Sequence, residues 1–535
     1  MSLSRSPGRT PQTAAQWEAA LESPGAALRE ALRATYGSTA GVVENRRQAL
    51  LALLREFGLR FGAEREVLIS RAPGRINLMG RHVDHRGGDV NVMAIDREIL
   101  VASARRGDDR LVLRNVDTST FPPCEISLIE LRARAREHDW SELLDLGLPA
   151  LVPEVARGEW SHYARAVVLA LERRSGSTRL PGLDLLVAGD LPVGAGLSSS
   201  SALTMALAEG LISYLGLELT GEQLVEVVGE GERLVGVRGG LGDHAAIKLS
   251  RPGFVSQVGF FPAAVKQEVP LPSGVEVVVA HSGEIALKSL GARDTFNQRV
   301  ACADLALLIL RHQWPPARHA GHLRDLTEEN LALEVATIYD GLELLPEQPS
   351  RSDILALLPG FEHQRVERVF ATHADPGTYD LRGITLYALG ECARSALFPQ
   401  LLAGGDLERI GRWMKISHDG DRLPASPPTE RDGDRELERL RRRRVPLRRQ
   451  SGRYACSTEA IDRLVDVAIT TRGVVGAQLA AAGLGGCIMA LTRQEAVDDL
   501  LERWRIDFYQ PRGIEPAAFV VTPTAGSGVF TWSGD

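Results

Sequence analysis

Residues 71–98 read Arg71-Ala72-Pro73-Gly74-Arg75-Ile76-Asn77-Leu78-Met79-Gly80-Arg81-His82-Val83-Asp84-His85-Arg86-Gly87-Gly88-Asp89-Val90-Asn91-Val92-Met93-Ala94-Ile95-Asp96-Arg97-Glu98. Val67, Ile69 and the run Val90 to Ala104 place apolar, strand-forming sequence on either side of this polar, glycine-punctuated core. A charged loop held between two buried strands is where a rigid scaffold presents chemistry, and its glycines let a ligand approach the backbone. Any single Gly-Arg or Asp-His pair in it reads as an ordinary turn; the density of Arg, His and Asp makes it a site candidate.

The bulk composition bounds what that site can serve. At 535 residues the chain is long enough for three or four domains of about 150 residues, or two larger ones. With 44% hydrophobic and 24% charged residues it reads as globular, and a net charge of −7 gives nucleic acid no broad attraction. The five cysteines, Cys124, Cys302, Cys392, Cys456 and Cys487, have neither zinc-ribbon nor disulfide-scaffold spacing and read as buried thiols of a reducing compartment. Residues 1–15 are polar and lack an apolar signal core, and no apolar run is long enough for a membrane span, so a cytoplasmic protein is expected.

Helical spacing of Trp17, Leu21, Leu28 and Leu32, broken at Pro24-Gly25, and of Val43, Leu50, Leu53, Leu54 and Phe57 predicts a helical extension ahead of the opening motif. Beyond the motif, Ile95–Ala104, Arg110–Arg114 and Leu183–Ala188 read as strands. The last runs into Pro192-Val193-Gly194-Ala195-Gly196-Leu197-Ser198-Ser199-Ser200-Ser201 and then an apolar helix. Strand, glycine-serine loop and helix start form an anion site, because unpaired N–H groups and the helix dipole both favour negative charge. Taken alone the serines also fit a linker or a cap, and the loop lacks the Gly-Lys-Ser/Thr of a Walker loop. Further on, Gly239-Gly240-Leu241-Gly242-Asp243-His244 sets one carboxylate in a glycine turn, making Asp243 a candidate base as well as a candidate self-capping turn residue. Phe254–Phe260 and Val275–Ala280 read as strands and Asp294–Leu310 as a helix. The arginine run 441–444, with Arg448 and Arg449, follows a run of acids and reads as a solvated helix or loop rather than a nucleic-acid patch.

Taken together these stretches resemble the GHMP small-molecule kinases, specifically the galactokinase branch. Residues 73–84 match that family's Pro-Gly-Arg-x-Asn-Leu-x-Gly-x-His-x-Asp, residues 192–200 its Pro-x-Gly-x-Gly-Leu-Ser-Ser-Ser, and 476–487 closely match its Gly-Ala-x-x-x-Gly-Ala-Gly-Phe-Gly-Gly-Cys. Weaker landmarks are Phe296-Asn297-Gln298-Arg299, 382–394, 410–418 and 454–457. The resemblance implies an α+β fold of two domains with the active site in the cleft between them. The expected division is a helical extension over 1–55, an N-terminal kinase domain over 56–255 and a C-terminal one over 256–535.

It further implies transfer of a phosphoryl group from ATP, with Mg²⁺, to the anomeric (C1) hydroxyl of a sugar. Gly194, Gly196, Leu197, Ser198, Ser199, Ser200 and Ser201 are expected to hold the phosphates, with Ser200 (or Ser199) near the metal. Asp243 is expected to take or orient the hydroxyl proton, and Arg75 to keep it a carboxylate. His82 and Asp84 are expected on ring hydroxyls, and Phe296 replaces a sugar-facing Tyr, removing one hydroxyl from the pocket. The family's Glu before the His is here Arg81, and its Tyr after the Asp is His85. Arg has only donors and suits a carboxylate or phosphate, so the expected substrate is an altered sugar, a uronic acid first. The sequence leaves open that Arg81 turns toward Asp84 or Asp89 and the pocket takes a neutral sugar, as in an ordinary galactokinase. A non-catalytic sugar and ATP sensor is the other alternative, which intact Arg75 and Asp243 argue against. The expected partners are a small-molecule sugar and no nucleic acid or membrane, with the protein a monomer or weak oligomer.

Overall fold

A computed structural model describes residues 12–156, 159–236, 239–285, 291–424, 426 and 429–531. Most of the polar N-terminal stretch, Val237 and Arg238 of the glycine-rich segment, and Pro427 and Pro428 lie outside them.

The strands are β1 Leu68–Met79, β2 Val90–Arg105, β3 Arg110–Asn115, β4 Cys124–Ser127, β5 Leu183–Gly189, β6 Phe254–Gly259, β7 Ala264–Pro270, β8 Val275–His281, β9 Val474–Leu479, β10 Cys487–Arg493, β11 Ala518–Val521, β12 Pro523–Thr524 and β13 Gly528–Val529. The opening motif begins inside β1 and ends inside β2, so both its flanks are paired: Arg71 faces Leu100 and Arg75 faces Ala94. One sheet runs β13-β1-β2-β5-β3-β4, with β12 and the β6–β7 hairpin also on β2. Among the described residues only β3 and β5 pair in parallel. A second, wholly antiparallel sheet runs β11-β8-β10-β9.

Period-two alternation explains the layers. From the first sheet Ile69, Leu100, Ala102 and Leu186 face the N-terminal helices. Val101, Leu185 and Val187 face the opposite core, where the helix Ser199–Leu215 packs. Gly210 of that helix stands over Ser70, whose hydroxyl donates to Ala206 O at 2.7 Å. In the second sheet Val277, Val279, Met489 and Leu491 join the first core, while Val278, Ala280, Ile488 and Ala490 join the core of the second half. That sheet is the wall between the two cores.

The extension is three helices, Ala14–Glu22, Ala26–Tyr36 and Ala40–Phe61. Thr13 and Gln16 cap the first reciprocally, and Pro24-Gly25 separates it from the second as expected. Trp17, Leu21, Leu28, Leu32, Tyr36 and Phe57 are buried. At roughly 1.5–3 kcal/mol for each large apolar side chain, this is integral core and not a detachable arm. Its polar residues tie it to the first sheet as well. The Tyr36 hydroxyl donates to Glu98 at 2.7 Å and Arg46 pairs at 2.6 Å with Asp190, the residue that follows β5.

The arginine run falls on the end of the helix Glu430–Arg442 and just beyond it. There Arg441 pairs with Asp340 and Glu343, Arg442 with Glu438 and Arg444 with Glu334, in keeping with a solvated, paired surface.

Candidate active site

Three segments meet at Arg75. Its side chain, 5% exposed, sends Nη1 to Gly196 O at 2.7 Å, and Nε and Nη2 to Asp243 Oδ1 at 2.7 and 2.6 Å. The other Asp243 oxygen accepts a hydrogen bond from the Ser198 hydroxyl. Asp243 is 31% exposed, so a buried cation stands behind a carboxylate that reaches solvent. Gly194 and Gly196 take φ of +67° and +75°, and Ser198 caps the helix Ser199–Leu215 at φ +61°. A non-glycine residue in that conformation is strained, and here the strain aims one hydroxyl at the carboxylate while leaving the helix N–H groups unobstructed.

Asp243 opens the helix Gly242–Leu249, whose first amide donates to Asp84 Oδ2 at 2.8 Å. A Cβ on Gly240 would fall within 1.9 Å of the same carboxylate, which is why the turn needs glycine there. His85 Nδ1 lies 3.0 Å from Asp84 Oδ1. Burial pushes the Asp84 carboxyl up, but His85 and the Gly242 amide outweigh it and hold the group well below the ordinary carboxylate range. The third glycine segment supports the serine loop from the second half. Cys487 N donates to Ala195 O at 2.8 Å, and a Cβ on Gly486 would stand 2.7 Å from that same oxygen. Gln478 also donates to Leu78 O of β1 at 2.7 Å.

The sequence profile of the "GHMP kinases N terminal domain" matches residues 162–251, that of the "galactokinase galactose-binding signature" residues 55–105, and that of the "GHMP kinases C terminal" region residues 397–510. These three profiles support a place in the galactokinase-like branch of the GHMP kinases. It is 29% identical to a galactokinase of Roseiflexus sp. over 477 residues, 89% of this chain and 96% of that one. With a galactokinase of Dictyostelium discoideum it shares 25% identity, covering 91% and 95% of the two chains. The crystal structure of Lactococcus lactis galactokinase complexed with galactose superposes with a TM-score of 0.66 at 20% identity, over 90% of this chain and 99% of that one, a likeness of fold. This GHMP kinase is an ATP-dependent sugar kinase with the mixed α+β fold of its family.

Within the kinase the sequence-derived residues do not all converge. Arg81 requires a correction: the guanidinium expected to meet an anionic sugar is 1% exposed and turned inward. Its Nη2 bonds Asp421 Oδ2 at 2.6 Å and Ser417 Oγ at 2.9 Å, and neither Asp84 nor Asp89 is its partner. The physical reason is that Asp421, fully buried, needs a counter-charge more than a solvated cleft does. His82, at φ +63°, is also turned in, stacked on Tyr454 with ring centroids 4.0 Å apart. Burial lowers its imidazole to about 4, against the pull of Asp421. Phe296 is half-buried on the helix Gly291–Gln313.

Two groups escaped the sequence reading. Glu232, closing the helix Gly221–Glu232, has its carboxylate 3.3 and 3.4 Å from Ser201 Oγ and 3.1 Å from His244 Nε2. Tyr163, pushed up to about 12 by burial and by the Glu232 charge, shares a hydrogen bond with Ser200. The serine hydroxyls and this carboxylate are hard oxygen donors, a set that suits Mg²⁺ better than a soft metal. The second missed group is Glu391, which accepts Gly80 N at 2.8 Å and Arg81 N at 3.3 Å from the far side of the motif. Its only local signal is an acid three residues before Arg394 in an otherwise apolar helix, Leu381–Ala403.

Proposed function

We propose that this kinase transfers the γ-phosphoryl group of ATP to the anomeric (C1) hydroxyl of a neutral, galactose-type sugar. One observation carries the reading: Asp243 is bonded at one oxygen by Arg75 and at the other by Ser198 of the serine loop. A carboxylate able to accept or orient a hydroxyl proton thus stands against the loop best built to hold phosphates. Arg75 gives Asp243 a counter-charge and, through Gly196 O, fixes its distance from the loop. Mg²⁺ held by Ser200 or its neighbours with Glu232 would neutralise phosphate oxygen charge. Asp84, tied to the Asp243 turn through Gly242, is placed to orient sugar hydroxyls beside the base.

The neutral sugar is favoured over the uronate because Arg81, the basis for an anionic substrate, is closed off from solvent and committed to Asp421. The test is steady-state ADP release with galactose, glucose, arabinose, N-acetylgalactosamine, galacturonate and glucuronate. The expected result is robust galactose turnover and little with either uronate. Faster turnover of galacturonate would overturn the neutral-sugar reading, and saturable sugar binding with no ADP release would make the protein a sensor.

Replacing Ser199 and Ser200 together by Ala is expected to raise the Mg²⁺ and ATP concentrations needed for half-maximal rate severalfold. Backbone N–H donors survive, so binding weakens without vanishing. An unchanged Mg²⁺ titration would place the metal away from these hydroxyls.

A further inference from the structure

We propose that His82, Asp421 and Cys456 form a buried, structural transition-metal site of the zinc class, pinning the sugar motif to the second half of the chain. The three donor atoms form a closed triangle. Cys456 Sγ is 3.4 Å from Asp421 Oδ1 and 3.5 Å from His82 Nε2, and the imidazole and carboxylate atoms are 3.8 Å apart. Tetrahedral zinc with bonds of about 2.0–2.3 Å sets its ligands roughly 3.3–3.5 Å apart, so the triangle is nearly of coordination size.

The ligands come from three distant segments: the turn after β1, the last residue of the helix Leu407–Asp421, and the loop before the helix Glu459–Ile469. Two of the backbones are strained at this point, His82 at φ +63° and Ala455, next to Cys456, at +54°. A second observation points to something held here. Among the described residues Arg81 Nε and Nη1 and the hydroxyls of Tyr387 and Tyr454 are sealed from solvent without a hydrogen-bond partner. The Tyr454 and Tyr387 rings lie 4.0 and 5.9 Å from the His82 ring.

The donor chemistry selects the ion. One thiolate, one imidazole and one carboxylate suit zinc and not Mg²⁺ or Ca²⁺, which want oxygen alone. Arg81 on the outer oxygen of Asp421 is the kind of outer-sphere partner that orients a ligating carboxylate. Loading forms the metal–sulfur bond and breaks the S–H bond, releasing one proton to solvent with no change of oxidation state.

The test needs no activity and is independent of the sugar assignment. Full-length protein without a polyhistidine tag is dialysed against metal-free buffer and its metals are measured by mass spectrometry. About one zinc per chain is expected in wild type and in the Cys392→Ser control, whose thiol is buried outside the triangle, with at least about a tenfold loss in Cys456→Ser. Metal-stripped wild type titrated with Co²⁺ should develop a thiolate-to-cobalt absorption band that Cys456→Ser lacks. Wild type with neither bound metal nor a cobalt band would overturn the site in favour of a plain hydrogen-bonded triad. Equal zinc retention by Cys456→Ser would show adventitious binding and overturn it too. Should Cys456→Ser fail to fold, the wild-type cobalt titration decides.

Discussion

Asp243→Ala should lower kcat by at least about a hundredfold while leaving the KM for ATP within a few fold of wild type. The split follows from where the side chain sits. Its carboxylate is the part-exposed end of a contact whose buried end, Arg75, keeps a second anchor on Gly196 O, so the serine loop retains its support when the acid is removed. Lost with it are the proton acceptor and the charge that holds the Ser198 hydroxyl. Asp243→Asn sharpens the test, because it preserves shape and a hydrogen bond to Ser198 while removing the basicity. The two variants should be similarly slow, and near-normal kcat in either would remove Asp243 from the reaction.

Glu391→Leu should destabilise the fold by about 3–5 kcal/mol, the cost of stranding a buried charge. Glu391 and Arg394 are both fully buried, paired at 2.9 Å, and the same carboxylate accepts the Ser417 hydroxyl and the amides of Gly80 and Arg81. Removing it leaves Arg394 with two carbonyls and no counter-charge. The double variant Glu391→Leu/Arg394→Leu should recover much of the loss, since two matched apolar groups replace the pair. Urea unfolding followed by circular dichroism reads both. A loss below about 1 kcal/mol in the single variant would mean that the pair is not a structural anchor. A raised KM for the sugar with kcat less affected is also expected, because the Gly80–Arg81 turn loses its clamp.

The sequence could be read wherever function is packed into contiguous residues. Arg75, Asp243 and Ser198 are legible because each lies in a contiguous motif that carries the family resemblance; on local chemistry alone Asp243 reads equally as a turn residue and the serines as a linker or cap. Arg81 shows the opposite case. Its type departs from the family's Glu, but its direction is set by Asp421, 340 residues away, and a one-dimensional pattern cannot carry that. Glu232 was invisible for a related reason: it closes a helix rich in acids, and only its packing beside Ser201 singles it out. The strands β4, β7, β9, β11, β12 and β13 escape the sequence reading as well. β7 is largely exposed and polar, and β12 and β13 are two residues each, too short for a period of two to show.

The shortest of those strands set a clock. β13 is β1's neighbour on the side away from β2, pairing Val529 with Ser70 and Gly528 with Arg71, while Arg71 also donates to the carbonyls of Ala525 and Gly526. Residues 71 and 525 are 454 positions apart. At about 5–20 residues per second a ribosome needs roughly 20–90 s to cover that distance. For that interval the strand leading into the sugar motif has an open edge, a row of N–H and C=O groups able to pair with another nascent chain. The kinase therefore completes its first sheet only after residues 523–529 have been synthesised. Its yield in a cell should depend on chaperones that cover a waiting strand and on the speed of translation.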